Sequence, residues 1–253
     1  MTTGVLEQVF ELPIEGIELP GPTPLRVPSQ GVLAEFRPGT PIQLWTEVQG
    51  ASEQVAEARS WALARLLYQR LLLAFAENVV TAAPPRLLTR KFASGATTAT
   101  ATLAVNAVIA VRATVVVLQT AVDELATSVE LRAVTPQLPT SADLYTAIDM
   151  FTAGLEATNS VVRFLIFHSA LALAALFKWH YGSQAKVDQL IRAVNPSIPR
   201  STSHRGQETL HTKLRNDLIH AEERGKNPPQ AIRAIEGNLS SFQTDVATVF
   251  RSL

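Results

Sequence analysis

Seven prolines fall between positions 13 and 41 of this 253-residue chain, at 13, 20, 22, 24, 28, 38 and 41, and they forbid a long helix in the opening stretch. Between them lie short runs rich in β-branched and aromatic residues. Val9-Phe10-Glu11-Leu12 and Ile42-Gln43-Leu44-Trp45 read as strands separated by turns. The pattern changes at Ser52, a fitting N-cap. After it Val55, Ala58, Ala62, Leu66 and Leu73 recur at helical spacing to about Asn78, which predicts one long helix. Beyond Pro84-Pro85, the runs Arg86 to Phe92 and Ala99 to Leu118 carry the Val, Thr and Ile of strands, although the alanines of the second leave it open to helix as well. Val129 to Val134 reads as the last extended piece. Residues 1–135 are therefore expected to form an α+β domain, strands packed on the Ser52 helix, with no recognisable site of its own.

A change of register follows. Thr135-Pro136-Gln137-Leu138-Pro139 reads as a linker, and Thr140-Ser141-Ala142-Asp143 has the hydroxyl-x-x-acid pattern of a capping box. From there the periodicity is helical. Leu144, Ile148, Phe151 and Leu155 mark one helix, Asn159-Ser160 a break, and Val161 to about His180 a second, very apolar helix. A third runs from about Ser183 to Val194. A loop with Pro196 and Pro199 covers Asn195 to Gly206, a helix follows from about Gln207 to Glu223, Asn227-Pro228-Pro229 stops it, and Gln230 to Ser252 is the last helix. The whole chain thus reads as α+β: a mixed strand and helix domain over 1–135, then an all-α bundle over 140–253.

Composition narrows the function. A hydrophobic fraction of 47% requires a packed core, and 22 basic against 22 acidic residues leave no global field to draw in nucleic acid or an anionic membrane. Any nucleic-acid contact must come from a local patch. The absence of cysteine removes disulfides, thiolate zinc sites and cysteine nucleophiles. No Gly-rich phosphate loop and no HExxH spacing occurs, so neither a cofactor nor a metal is expected. The first residues lack the basic patch and apolar run of a secretory signal, which predicts a cytoplasmic protein. The apolar stretches Thr102 to Val122 and Val161 to Phe177 are interrupted by Asn106 and Arg112 and by Arg163 and His168, and read as buried core, not as membrane spans.

The chemistry is expected on the Gln207 helix. With about 100° per residue, Leu210, Leu214, Leu218 and Ala221 share an apolar arc, while Thr212, Lys213, Arg215, Asn216, His220 and Glu223 spread over the other side. Ile219 is the exception, an apolar side chain between Arg215 and Asn216, as on a surface that meets another protein chain. Asn216 stands four residues before His220 and can set its tautomer; Arg215 offers a planar fork suited to a phosphate; His220 can move protons near neutral pH. A twofold axis beside this helix would give each phosphate two arginines and two histidines, one imidazole as base and one as acid.

The string Leu214-Arg215-Asn216-Asp217-Leu218-Ile219-His220-Ala221, late in a helical stretch of about 115 residues, resembles the signature of the HEPN superfamily. The order of an α+β leader and a helical tail is similar to the HEPN proteins grouped with the methylamine-utilisation protein MauJ and with the ApeA-like proteins. The resemblance implies a homodimeric RNA endonuclease that needs no metal, in which the 2′-hydroxyl attacks the adjacent phosphate to leave a 2′,3′-cyclic phosphate and a 5′-hydroxyl. It also implies a toxin or anti-phage setting, with an antitoxin or regulatory protein as a further partner. On this chain Arg215 would stabilise the phosphorane, His220 would transfer the proton and Asn216 would orient His220 or the phosphate. Asp217 adjoins the motif as a secondary candidate. Many relatives carry an acidic residue in the earlier apolar helix; Ser169 to Phe177 has none.

His168, in a run of Leu, Ala and Phe, reads as a hydrogen-bonded core histidine that could instead approach a dimer axis. Arg200, His204, Arg205, His211, Lys213, Arg224 and Lys226 make the neighbourhood of the motif locally basic, either as a solvated surface or as a phosphate track, with Lys213, Arg205 and Arg200 as substrate-binding candidates and His211 as a secondary one. The alternative to an endonuclease is an HEPN-like dimer that binds RNA or a nucleotide, or scaffolds a partner, without turnover. The MauJ-like resemblance alone adds a weaker option, an accessory factor in amine metabolism.

Overall fold

The computed structural model describes residues 4–19, 22–27, 32–50, 52–94, 97–102, 115–116, 142–203, 206–221 and 227–253. They fall into two units, Met1–Leu138 and Pro139–Leu253, the first rich in strands and the second in helices, so the chain is α+β.

In the first unit, β1 (Gly4–Leu12) is followed by β2 (Ile14–Glu15), β3 (Ile17–Glu18), β4 (Thr23–Val27), β5 (Val32–Arg37) and β6 (Ile42–Gly50). The helix α1 (Glu53–Ala74), a 3₁₀ turn over Ala76–Asn78, β7 (Thr81–Ala82), β8 (Arg86–Ser94), β9 (Thr97–Thr102) and β10 (Val115–Val116) come next. Six strands form one antiparallel sheet in the order β4-β5-β6-β1-β8-β9. Pro24 lies in β4, at the sheet edge, where the missing N–H is tolerated. Alternate residues of β1 and β6 are buried, among them Leu6, Phe10, Leu12, Leu44 and Val48, and α1 covers that face with Leu67, Tyr68 and Leu71. Ser52 caps α1 by accepting from the Val55 N–H at 3.3 Å. The helix ends at Ala74, and the 3₁₀ turn completes the path to Asn78. The expectations for 103–114, the Val129 to Val134 strand, the Thr135 to Pro139 linker and the Thr140-Ser141 start of the capping box lie outside the described residues.

The second unit holds α2 (Ala142–Glu156), α3 (Ser160–Trp179), α4 (Gln184–Val194), a hairpin of β11 (Arg200–Ser203) and β12 (Gly206–Thr209), α5 (Leu210–Ile219) and α6 (Pro228–Ser252). Asn159 makes the break between α2 and α3, accepting from the amides of Val161 and Val162 at 3.0 Å each, while Arg163 turns back to the carbonyls of Leu155 and Ala157 at the end of α2. Among the described residues α3 is the helix long and apolar enough to cross a membrane, and it packs against α2, α4 and α6. The core there is aromatic. Phe151 stacks on Phe167 at 5.3 Å between centroids, and Phe164 meets Phe242 of α6 at 4.8 Å; burying each such ring contributes roughly 2 kcal/mol.

The hairpin corrects the reading of Asn195 to Gly206 as a loop and of the next helix as starting at Gln207. Gln207, Glu208 and Thr209 are strand residues paired with Arg200, Ser201 and Thr202. Gly206 has φ of 106°, a value that glycine adopts without strain, at the turn of the hairpin. Thr209 then starts α5: its Oγ1 accepts from the Thr212 N–H, and both its N–H and its hydroxyl donate to Asp188 Oδ1 of α4, at 3.0 and 2.6 Å. The helix closes at Ile219 with the His220 N–H on the Asn216 carbonyl at 2.9 Å, short of the expected Glu223.

Candidate active site in the C-terminal unit

The bend between α3 and α4 builds one wall of a cavity. His180 ends α3 in the left-handed conformation, and Gly182 brings the chain so close to the α3 backbone that an added Cβ would stand 3.1 Å from the Ala172 carbonyl oxygen. Ser183 caps α4 by accepting from the Lys186 N–H. The cavity, about 460 Å³, is lined by His168, Ser169 and Ala172 of α3, by Gly182, Ser183, Gln184 and Val187 at the start of α4, and by Arg215 and His220 of the motif. None of these lining residues is acidic.

Arg215 is aimed by a relay. Its Nη1 donates to Asn216 Oδ1 at 3.1 Å, and Asn216 Nδ2 donates to Glu208 Oε2 of β12 at 2.9 Å. Asn216 is buried and serves Arg215, which corrects the expectation that it orients His220. The wheel erred for a related reason. Thr212 and Asn216, expected on the polar face, are buried, as are His211 and Asp217. His211 Nε2 meets Asp245 Oδ2 of α6 at 2.9 Å, and its ring lies 4.4 Å from that of Phe242. Asp245 also accepts from Asn195 Nδ2. A helix flanked by a hairpin and two other helices meets polar partners on most sides, so polar residues are buried against them.

Of the remaining candidates, Lys213 is ion-paired with Asp217 and neither lines the cavity. Arg200 donates to the Pro196 carbonyl at the surface, away from the cavity wall, and His211 is sealed in the core. These placements remove Lys213, Arg200, Asp217 and His211 from direct contact with a ligand in this cavity. Arg205, with His204, Arg224 and Lys226, lies outside the described residues. Ile219 is 49% exposed.

His168 is the addition. Only 6% exposed, it nonetheless forms part of the cavity wall, and its Nε2 is buried without a partner. Burial, aided by the positive charges of Arg215 and His211, pushes its pKa down to about 3; a hydrogen bond to the His211 main chain opposes that shift. His168 and His220 of one chain thus both line the cavity. The sequence signal for His168 was a lone polar residue in an apolar run; for Glu208, two residues before the helix, there was none. Among the described residues no three His, Asp or Glu side chains converge as metal ligands.

No family model, curated protein or solved structure matches the chain.

Proposed function

We propose that the C-terminal unit is a metal-independent RNA endonuclease, acting as a homodimer. The observation that carries this reading is the convergence of Arg215 and His220 on one cavity free of carboxylates among its lining residues. An anionic phosphate is favoured there by the guanidinium and repelled by nothing in the wall. In the reaction the RNA 2′-hydroxyl attacks phosphorus, the P–O5′ bond breaks, and a 2′,3′-cyclic phosphate and a 5′-hydroxyl remain. Arg215, held by Asn216 and Glu208, stabilises the charge that builds on the equatorial oxygens. His220 moves the proton, a role worth about 10²–10⁴-fold in rate. The exposed Ile219 beside His220 supports the dimer, whose mass by light scattering should be twice 27.4 kDa. A toxin or anti-phage effector is the setting we attach to this activity.

The test is incubation of the purified chain with total RNA in EDTA, with and without a cell extract that could supply an activating partner. Wild type should yield 2′,3′-cyclic phosphate ends and His220→Ala should yield about 10²-fold fewer or less. Equal RNA integrity with both proteins under all conditions sinks the proposal; retention of RNA without cutting would instead identify a binding module.

A further inference from the structure

Outside the cavity, the corner between α3 and α4 gathers cations and aromatic rings. Residues 178–187 read Lys-Trp-His-Tyr-Gly-Ser-Gln-Ala-Lys-Val, with two lysines, two large rings and no carboxylate. The next residue, Asp188, is buried and accepts from Thr209. Trp179 draws both lysines together: Lys186 Nζ lies 4.6 Å from the centroid of its ring and Lys178 Nζ 5.4 Å, each within reach of the cation–π attraction. Among the described residues neither lysine has a carboxylate partner. Tyr181 is 65% exposed, more than any other large hydrophobic side chain among the described residues. It stands between His180, which ends α3 in the left-handed conformation, and Gly182, which is seated against the α3 backbone, so the chain turns there and the ring stays outside.

Gly182 is itself exposed and lines the cavity, so it marks the mouth, and Tyr181 is its chain neighbour, about 3.8 Å away between Cα atoms. A flat ring in water beside unpaired cations suits one class of ligand. Every base has a π face to stack on such a ring, and every nucleotide brings a negative charge for the lysines. We infer that this corner is the docking surface for the single-stranded RNA that flanks the phosphate in the cavity: Tyr181 stacks the neighbouring base, and Lys178 and Lys186 hold the backbone. An anionic membrane would also answer to the lysines, but an interfacial anchor needs a broad apolar face. Tyr181 is instead flanked by His180, Gly182 and Ser183, and Trp179 is only partly exposed. The corner therefore selects unpaired RNA over duplex, because paired bases hide their faces inside the helix.

The inference deepens the RNA-cleaving reading and rests on it for the phosphate in the cavity, but its test reads binding. The probe is a fluorescein-labelled single strand of 2′-O-methyl decauridylate, which has no free 2′-hydroxyl to attack with, titrated with the full chain by anisotropy. Tyr181→Ala should weaken binding about tenfold, and Tyr181→Phe, which keeps the ring, should not. Lys178→Gln together with Lys186→Gln should make the slope of log affinity against log salt shallower by about 1.4. The same strand paired with decaadenylate should bind wild type and Tyr181→Ala alike. Because the ring is exposed, Tyr181→Ala should keep the urea midpoint of wild type. No binding of the single strand, equal binding by wild type and Tyr181→Ala, an unchanged salt slope, or a duplex as sensitive to Tyr181→Ala as the single strand overturns the inference. If the strand binds both proteins equally and phosphatidylserine vesicles retain wild type but not Tyr181→Ala, the corner is a lipid anchor. A protein with the expected dependences that cuts no RNA keeps the docking surface and loses the endonuclease; one that cuts RNA through His220 with binding unmoved by Tyr181→Ala does the reverse.

Discussion

The two units bury polar groups differently. Among the described residues, the N-terminal unit buries Gln8, Thr46, Ser60 and Gln69, none of which ionises, and Thr46 and Ser60 satisfy each other at 2.7 Å between the sheet and α1. The C-terminal unit buries His168, Asp188, Glu208, His211, Asp217 and Asp245. Burying an ionisable group costs several kcal/mol unless it is paired and hydrogen-bonded. Asp188 fixes the start of α5, Glu208 fixes Asn216, Asp245 fixes His211, and Asp217 takes Lys213. All four act on the same ten-residue helix. The first unit is held by apolar surface between a sheet and a helix, whereas α5 is held by charge, and it is the helix that carries Arg215 up to the cavity. Precise aim of a few side chains is what such an expense supplies.

This contrast can be broken most forcefully at Asp245. Asp245→Ala strips partners from both His211 and Asn195 and should cost about 3 kcal/mol, read as a lowered urea midpoint together with faster hydrogen exchange in α5 and α6 and none in β1 and β6; an unchanged midpoint would refute the claim that charge holds α5. The pH dependence comes next. The His168 ring titrates near 6.5 when unfolded and near 3 when folded, so between these values the unfolded chain binds a proton that the folded chain does not. Its contribution is therefore fully present above about pH 6.5 and is lost as the pH falls toward 3, with a slope of up to about 1.4 kcal/mol per pH unit. Unfolding free energies of wild type and His168→Leu from urea titrations, compared from pH 7 to pH 5, should change relative to each other by about 2 kcal/mol, with wild type losing the stability; parallel curves would contradict this.

Smaller effects sharpen the same contrast. Glu208→Ala should lower the RNA-cleavage rate about tenfold, roughly 1.4 kcal/mol of barrier, whereas Glu208→Gln, which keeps an oxygen for Asn216, should restore most of it. A loss that Gln does not rescue would assign Glu208 another role. Ser52→Ala, which removes the cap of α1, should cost about 1 kcal/mol in the first unit and leave RNA cleavage where it was, as measured by parallel melting and activity assays.

The elements were legible where periodicity and caps speak locally. Ser52 stands at the N-cap that its side chain suggested, Asn159 lies at the expected break and Ser183 where a helix was expected to begin, and the prolines before position 42 do exclude helix from the described residues there. The hairpin was not legible: Arg200-Ser201-Thr202-Ser203 and Gly206-Gln207-Glu208-Thr209 are short and polar, without the alternation that marks a half-buried strand. The buried face of α5 was not legible either. A helical wheel equates apolar with buried, while the partner of Asn216 lies 8 residues back on a strand and that of His211 34 residues on, neither of them on the same helix. Arg215 and His220 stood out by their residue types; the groups that hold Arg215 did not.

Because Arg215 takes its direction from Asn216, and Asn216 from a carboxylate on β12, the guanidinium answers to a strand and not only to the helix that bears it. The charge that faces the cavity is thus set by two side chains eight residues apart, one on the strand and one on the helix.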